Sequence, residues 1–181
     1  PKSVTLKLEA AAGMAVTTTV DAVAADGATQ HWTFTAAYNG KVYVFGGTGA
    51  MRQEDPNMTL NTSWEYDPAA DTWKALAAMP SKRTAAAAVE FGGKIYLIGG
   101  STDIPGPDGR NLNAGLVVGT NESYDPATNR WESHKAMPTA RNHPAIGMVA
   151  GKIYLVGGRI GANNIGGLVA SNTDVVEEYS P

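Results

Sequence analysis

The sequence predicts an all-β fold assembled from repeated units of four short antiparallel strands, and three observations point there. The first is internal repetition: Val20 to Gly47, Trp73 to Gly100 and Trp131 to Gly158 align without a gap and close on GKVYVFGG, GKIYLIGG and GKIYLVGG. The second is the period. The Gly pairs 46/47, 99/100 and 157/158 are separated by 53 and 58 residues, longer than helical solenoid repeats and long enough for four strands with their turns. The third is that KVYVF, KIYLI and KIYLV are short β-branched and aromatic runs bounded by glycine, the pattern of buried strands.

Each unit can be read strand by strand, lettered a to d. Asn39-Gly40 and Gly92-Gly93 are hairpin signals between strands a and b. The glycine pair that ends strand b permits positive φ or close approach of a neighbouring backbone. The segments WEYDPAADTW (64–73) and ESYDPATNRW (122–131) place Asp67-Pro68 and Asp125-Pro126 as turns between c and d. Met79-Pro80 and Met137-Pro138 follow, then Arg83 and Arg141, with Gln30 at the matching position of the first unit. Tyr66, Trp73, Tyr124 and Trp131 read as packing between units, since buried aromatics dominate core energetics.

The combination of a double glycine, a tyrosine and a distal tryptophan resembles the kelch repeat, from about residue 15 to the end. The resemblance implies a kelch-type β-propeller, a ring of four-stranded blades with strand a innermost. Kelch functions range from protein binding to sugar chemistry, so the architecture leaves function open.

Residues 1–15 are expected to form an N-terminal arm or an extra strand, and 16–181 three kelch blades. These comprise a d strand at 16–23, blades at about 31–76 and 84–134, and strands a, b and c at about 143–179. TTTVDAVAA at 17–25 aligns with the d segment TWKALAA, and VVEEYSP at 175–181 matches a c strand, so the two ends together make one blade. Propellers have about four to eight blades, and an open half-ring exposes apolar faces and strand edges. The expected partner is therefore a second copy, a homodimer closing a six-bladed ring, with further blades from a longer chain as the alternative.

Composition removes several function classes. Net charge is −3 with 17% charged residues and no cluster of either sign, which gives nucleic acid or an anionic membrane no electrostatic footing. The absence of cysteine excludes disulfides, thiol nucleophiles and thiolate metal sites. No run approaches the ~20 apolar residues of a membrane-spanning helix. No cofactor is expected and no metal site, because His31 and His143 lack a His-x-His or carboxylate partner at ligand spacing. Asp103, Asp108, Asn111 and Asn113 do not match an EF-hand loop. Abundant Ala, Thr and Gly suit a secreted or periplasmic bacterial protein, but the compartment is undetermined.

The b–c loops, at about 48–61, 101–118 and 159–173, are long and polar, carrying RQEDPN, TDIPGPDGRNLN and RIGANN. Long loops on a rigid scaffold are the usual seat of binding. The resemblance implies that peptide or sugar contacts come from the residues after each Gly pair and those opening each a strand. Here these are Thr48, Ser101 and Arg159, and His31, Thr84 and His143. Arg83 and Arg141 join the candidates, with a structural alternative in which they bond carbonyls or a carboxylate between blades; the two histidines have a similar alternative. Two readings follow: a recognition module binding a protein segment or glycan on the face of the b–c and d–a loops, or a carbohydrate-active enzyme resembling the kelch-type sialic acid mutarotases and epimerases. The second needs an arginine for the sugar carboxylate, from Arg159, Arg141 or Arg52, and an acid–base group, His143 or Glu54; no catalytic residue is fixed.

Overall fold

The blade strands alternate short apolar runs with turn residues. The computed structural model describes residues 22–23, 29–30, 33–49, 59–105, 111–161 and 171–181, which contain strands and no helix. A short hairpin comes first, β1 (Ala22–Val23) with β2 (Thr29–Gln30). The first blade is β3 (Phe34–Tyr38), β4 (Lys41–Phe45), β5 (Ser63–Asp67) and β6 (Thr72–Ala75), paired in that order. The second contains β7 (Ala87–Phe91) and β8 (Lys94–Ile98), then a side hairpin of β9 (Ser101–Pro105) and β10 (Asn111–Val117), then β11 (Asn121–Asp125) and β12 (Arg130–His134). Its sheet order is β7-β8-β11-β12, antiparallel throughout. The third has β13 (Ala145–Val149), β14 (Lys152–Val156), the side hairpin β15 (Arg159–Ile160) with β16 (Ser171–Asn172), and β17 (Val176–Tyr179). Its sheet is β13-β14-β17. The expected arm at 1–15, most of the expected 16–23 strand, His31, Arg52, Glu54 and Asp108 lie outside the described residues.

The a–b hairpins need positive φ at both central residues, as two-residue type I′ turns do. Asn39 and Gly40 have φ of 49° and 72°, Gly92 and Gly93 60° and 82°, and Ala150 and Gly151 49° and 75°. Asp67 and Asp125 each accept the backbone N–H two residues on, from Ala69 at 2.9 Å and Ala127 at 2.8 Å, which fixes the c–d turns.

Alternation along the strands gives each blade two faces, and the core lies between blades. One face of the first blade, with Phe34, Ala36, Tyr43 and Phe45, packs on Ala88, Ile95, Leu97, Tyr124 and Trp131 of the second. Phe45 meets Trp131 edge-on at 5.4 Å and Tyr124 at 5.8 Å between ring centroids. The matching face of the second blade, with Ala87, Val89, Tyr96 and Ile98, packs on Ile153, Leu155 and Tyr179 of the third. Thus one packing scheme is used twice, as a tandem repeat requires.

The double glycines are where consecutive blades lock. The Gly47 N–H donates to the Arg83 carbonyl at 2.9 Å, and the Gly100 N–H to the Arg141 carbonyl at 2.9 Å. A Cβ on Gly46 would lie 2.3 Å from the Arg83 oxygen, and one on Gly99 2.6 Å from that of Arg141. No side chain fits there.

Candidate functional site

The same two arginines that close one blade enter the next with their side chains. Arg83 is 1% exposed. Its Nη1 donates to the carbonyls of Leu97, Gly99 and Thr120 at 3.3, 3.0 and 3.1 Å, and its Nη2 to Glu122 Oε2 at 2.8 Å. Burial pushes the guanidinium pKa down, and the Glu122 carboxylate opposes that shift. Arg141 is fully buried; Nη2 donates to the Leu155 carbonyl at 3.2 Å and Nη1 lies 3.1 Å from Glu177. Both side chains are committed to the scaffold, the structural alternative weighed for them above. Glu122 and Glu177 were not singled out in the sequence, although a signal exists. The unit that lacks the arginine, with Gln30, also lacks the glutamate, with Trp64 in its place.

The remaining candidates gather where strand a begins and the b–c loop leaves. Each b–c loop starts as an antiparallel extension of its blade: an isolated bridge of Thr48 with Thr59, the β9–β10 hairpin, and the β15–β16 hairpin. Thr84 and Ser101 exchange backbone hydrogen bonds of 2.9 and 2.8 Å. In the third blade the residues that do so are Asn142 and Arg159, at 3.0 and 2.9 Å. Asn142, not His143, is therefore the structural counterpart of Thr84. Counting back from Gly157 by the same interval as Thr84 from Gly99 would have found it.

Side chains tie these loop bases across blades. Asp103 accepts the Thr59 N–H at 2.8 Å and the Thr59 hydroxyl, joining the first loop to the second. Asn142 Nδ2 donates to Ser101 Oγ at 2.7 Å, joining the second blade to the third. Thr48, Thr59, Ser101 and Asn142 are buried within this layer, Thr84 is half-buried, and His143 and Arg159 are exposed beside it.

His143 and its counterpart Ala85 both adopt positive φ, 50° and 53°, a conformation that disfavours non-glycine residues. The His143 N–H donates to the Ala85 carbonyl at 2.9 Å, so consecutive strand-a entrances are chained by backbone. His143 Nδ1 lies 3.1 Å from Asn142 Oδ1. Surrounding protein atoms lower the imidazole pKa from its ordinary value, with a smaller contribution from the Arg159 charge, which leaves His143 neutral near pH 7. No group of three or more His, Cys, Asp or Glu residues able to hold a metal occurs among the described residues.

The comparisons agree with this architecture. The kelch motif matches residues 35–80 and 82–138, more than half of the chain, and the chain belongs to the kelch-repeat family. It is 34% identical over 117 residues to mouse Kelch-like protein 40, covering 65% of this chain and 16% of that protein. It is 34% identical over 128 residues to the Kelch-like protein terF of Aspergillus terreus, covering 68% of this chain and 26% of that one. It is 31% identical over 155 residues to N-acetylneuraminate epimerase of Pasteurella multocida, covering 70% and 40%. Among solved structures, that of YjhT matches with a TM-score of 0.54 and 26% identity, over 70% of this chain and 33% of that one. The chain thus spans less than half the length of each of these relatives.

Proposed function

We propose that the chain is a recognition module whose ligand, a protein segment or a glycan, docks on the face where the b–c loops leave the blades. One observation carries this reading: polar bonds, Thr59 to the half-buried Asp103 and Asn142 to the buried Ser101, hold the loop bases of three blades in register, while His143 and Arg159 remain exposed beside them. A polar, pre-organised layer with accessible charge and hydrogen-bonding groups suits reversible binding. Thr84, His143 and Arg159 make the contacts, with His31 in the matching position of the first unit. Thr48, Ser101, Arg83 and Arg141 shape the layer from within. The blades act within a closed ring, completed by a second copy or by further blades of a longer chain. Peptide and glycan arrays probed with the chain should give ligands whose signal falls at least tenfold for Arg159→Ala and His143→Ala and is unchanged for Asp125→Ala. Equal binding by all three variants would reject the reading.

A second reading takes its support from the N-acetylneuraminate epimerase relative. Here Arg159 holds a sugar carboxylate and neutral His143 moves a proton at the anomeric position. NMR of N-acetylneuraminate exchange between anomers decides it: acceleration that disappears in His143→Ala supports it, and the uncatalysed rate rejects it.

A further inference from the structure

We propose that Asn142 is a positioning residue: it holds the proton of the His143 ring on Nδ1, so that Nε2 meets the ligand as a hydrogen-bond acceptor. The ligand group recognised at that point is then a hydroxyl or an N–H, and a carboxylate or carbonyl oxygen is refused there. The contact with ligand rests on the docking face proposed above; the placement of the proton does not.

Three side chains place the proton. Asn142 Nδ2 donates to Ser101 Oγ at 2.7 Å, and Asn142 Oδ1 lies 3.1 Å from His143 Nδ1. An amide oxygen only accepts. The ring nitrogen facing it therefore carries the proton, and in a neutral imidazole the other nitrogen is then a bare lone pair. Burial, helped by the Arg159 charge, lowers the imidazole pKa, so near pH 7 the ring holds one proton rather than two. Nε2 has no protein partner among the described residues.

Both ends of this relay are anchored. Asn142 is 1% exposed and Ser101 3%. The Asn142 backbone exchanges hydrogen bonds with Arg159 at 3.0 and 2.9 Å, and the Ser101 backbone with Thr84 at 2.9 and 2.8 Å, one bridge in each of two blades. The second unit shows what the relay adds. There Thr84 and Ala85 stand where the third unit has Asn142 and His143, with the same bridge and the same left-handed φ, but without a ring to orient. Only an amide both donates to Ser101 and accepts from His143. Arg159, bridged to Asn142, supplies donors alone. A ligand with a hydroxyl beside an acceptor oxygen satisfies both side chains.

Long-range proton–nitrogen correlation NMR of the isotope-labelled chain at neutral pH reads the tautomer. The chain has three histidines, and His143→Gln identifies the ring by its missing signals. The unaltered chain should show Nδ1 protonated and Nε2 bare. Asn142→Leu should move the population toward the Nε2–H form that a free imidazole favours. Asn142→Asp, which keeps an acceptor oxygen, should keep Nδ1–H and raise the ring pKa, a response that a purely structural asparagine would not give. A proton found on Nε2 in the unaltered chain, as the reverse amide orientation demands, overturns the assignment without any variant having to fold. A tautomer unmoved in folded Asn142→Leu also overturns it. On the peptide and glycan arrays, Asn142→Leu should lose at least tenfold of the signal for those ligands that His143→Ala loses. If the proton sits on Nδ1 while array ligands bind His143→Ala unchanged, the docking face fails and the placement of the proton stands.

Discussion

Replacing Arg83 by methionine separates a scaffold role from a ligand role. The substitution removes four donated hydrogen bonds and leaves the carbonyls of Leu97, Gly99 and Thr120 and the Glu122 carboxylate without that partner. Glu122 keeps the hydrogen bond from the Ser81 hydroxyl, at 3.0 Å, and its side chain is 5% exposed. Breaking a buried ion pair from one side costs about 3–5 kcal/mol, a large part of a typical domain stability of about 5–15 kcal/mol. Adding Glu122→Met removes the stranded charge, so the double variant should lose less than Arg83→Met alone. Urea denaturation followed by tryptophan fluorescence measures both. A loss below about 1 kcal/mol for Arg83→Met, in the range of an exposed pair, would refute the staple, as would a double variant less stable than the single.

Other expectations follow from the same geometry. Gly99→Ala places a Cβ 2.6 Å from the Arg141 oxygen at a φ of 74°, so overpacking of about 1–3 kcal/mol adds to a left-handed penalty of about 1–2 kcal/mol. Gly40→Ala, with φ of 72° and nothing within 4 Å, should carry the second cost alone; equal urea midpoints for the two variants would contradict the close approach. Burial alone would raise the Glu65 pKa, but hydrogen bonds from Lys41 and Tyr43 outweigh it and hold the carboxyl below its ordinary 4.5. Its stabilising contribution is therefore complete above pH 4.5 and lost as pH falls through the lower folded value, so Glu65→Gln should flatten the acid limb of a stability–pH curve. Trp131→Phe loses the indole bond to the Ala77 carbonyl, 2.8 Å long, at about 1 kcal/mol plus the lost contact area; no change in thermal midpoint would place that tryptophan outside the inter-blade core.

The repeat made the blades legible because the residues that set local geometry recur at fixed offsets. Asn39-Gly40 and Gly92-Gly93 announce their turns, and the Gly pairs announce a close approach without saying what approaches. That was Arg83 and Arg141, whose carbonyls and guanidinium groups serve two blades at once. The site was read less well. Position along a strand does not say whether a side chain is buried, and Ser101 and Thr48 turned out to lie inside the layer they were expected to decorate. His143 was read as opening its a strand, yet Asn142 beside it takes that position and makes the inter-blade side-chain bond. The β9–β10 and β15–β16 hairpins were also missed, because ladder extension at a loop base needs only backbone and leaves little compositional trace.

Amide hydrogen exchange with and without an array-selected ligand tests the binding face most directly. The account predicts new protection confined to 84–85, 101–103, 142–143 and 159–160, with the c–d turns at 67–71 and 125–129 unchanged. Protection concentrated at those turns, on the opposite side of the blades, would contradict it.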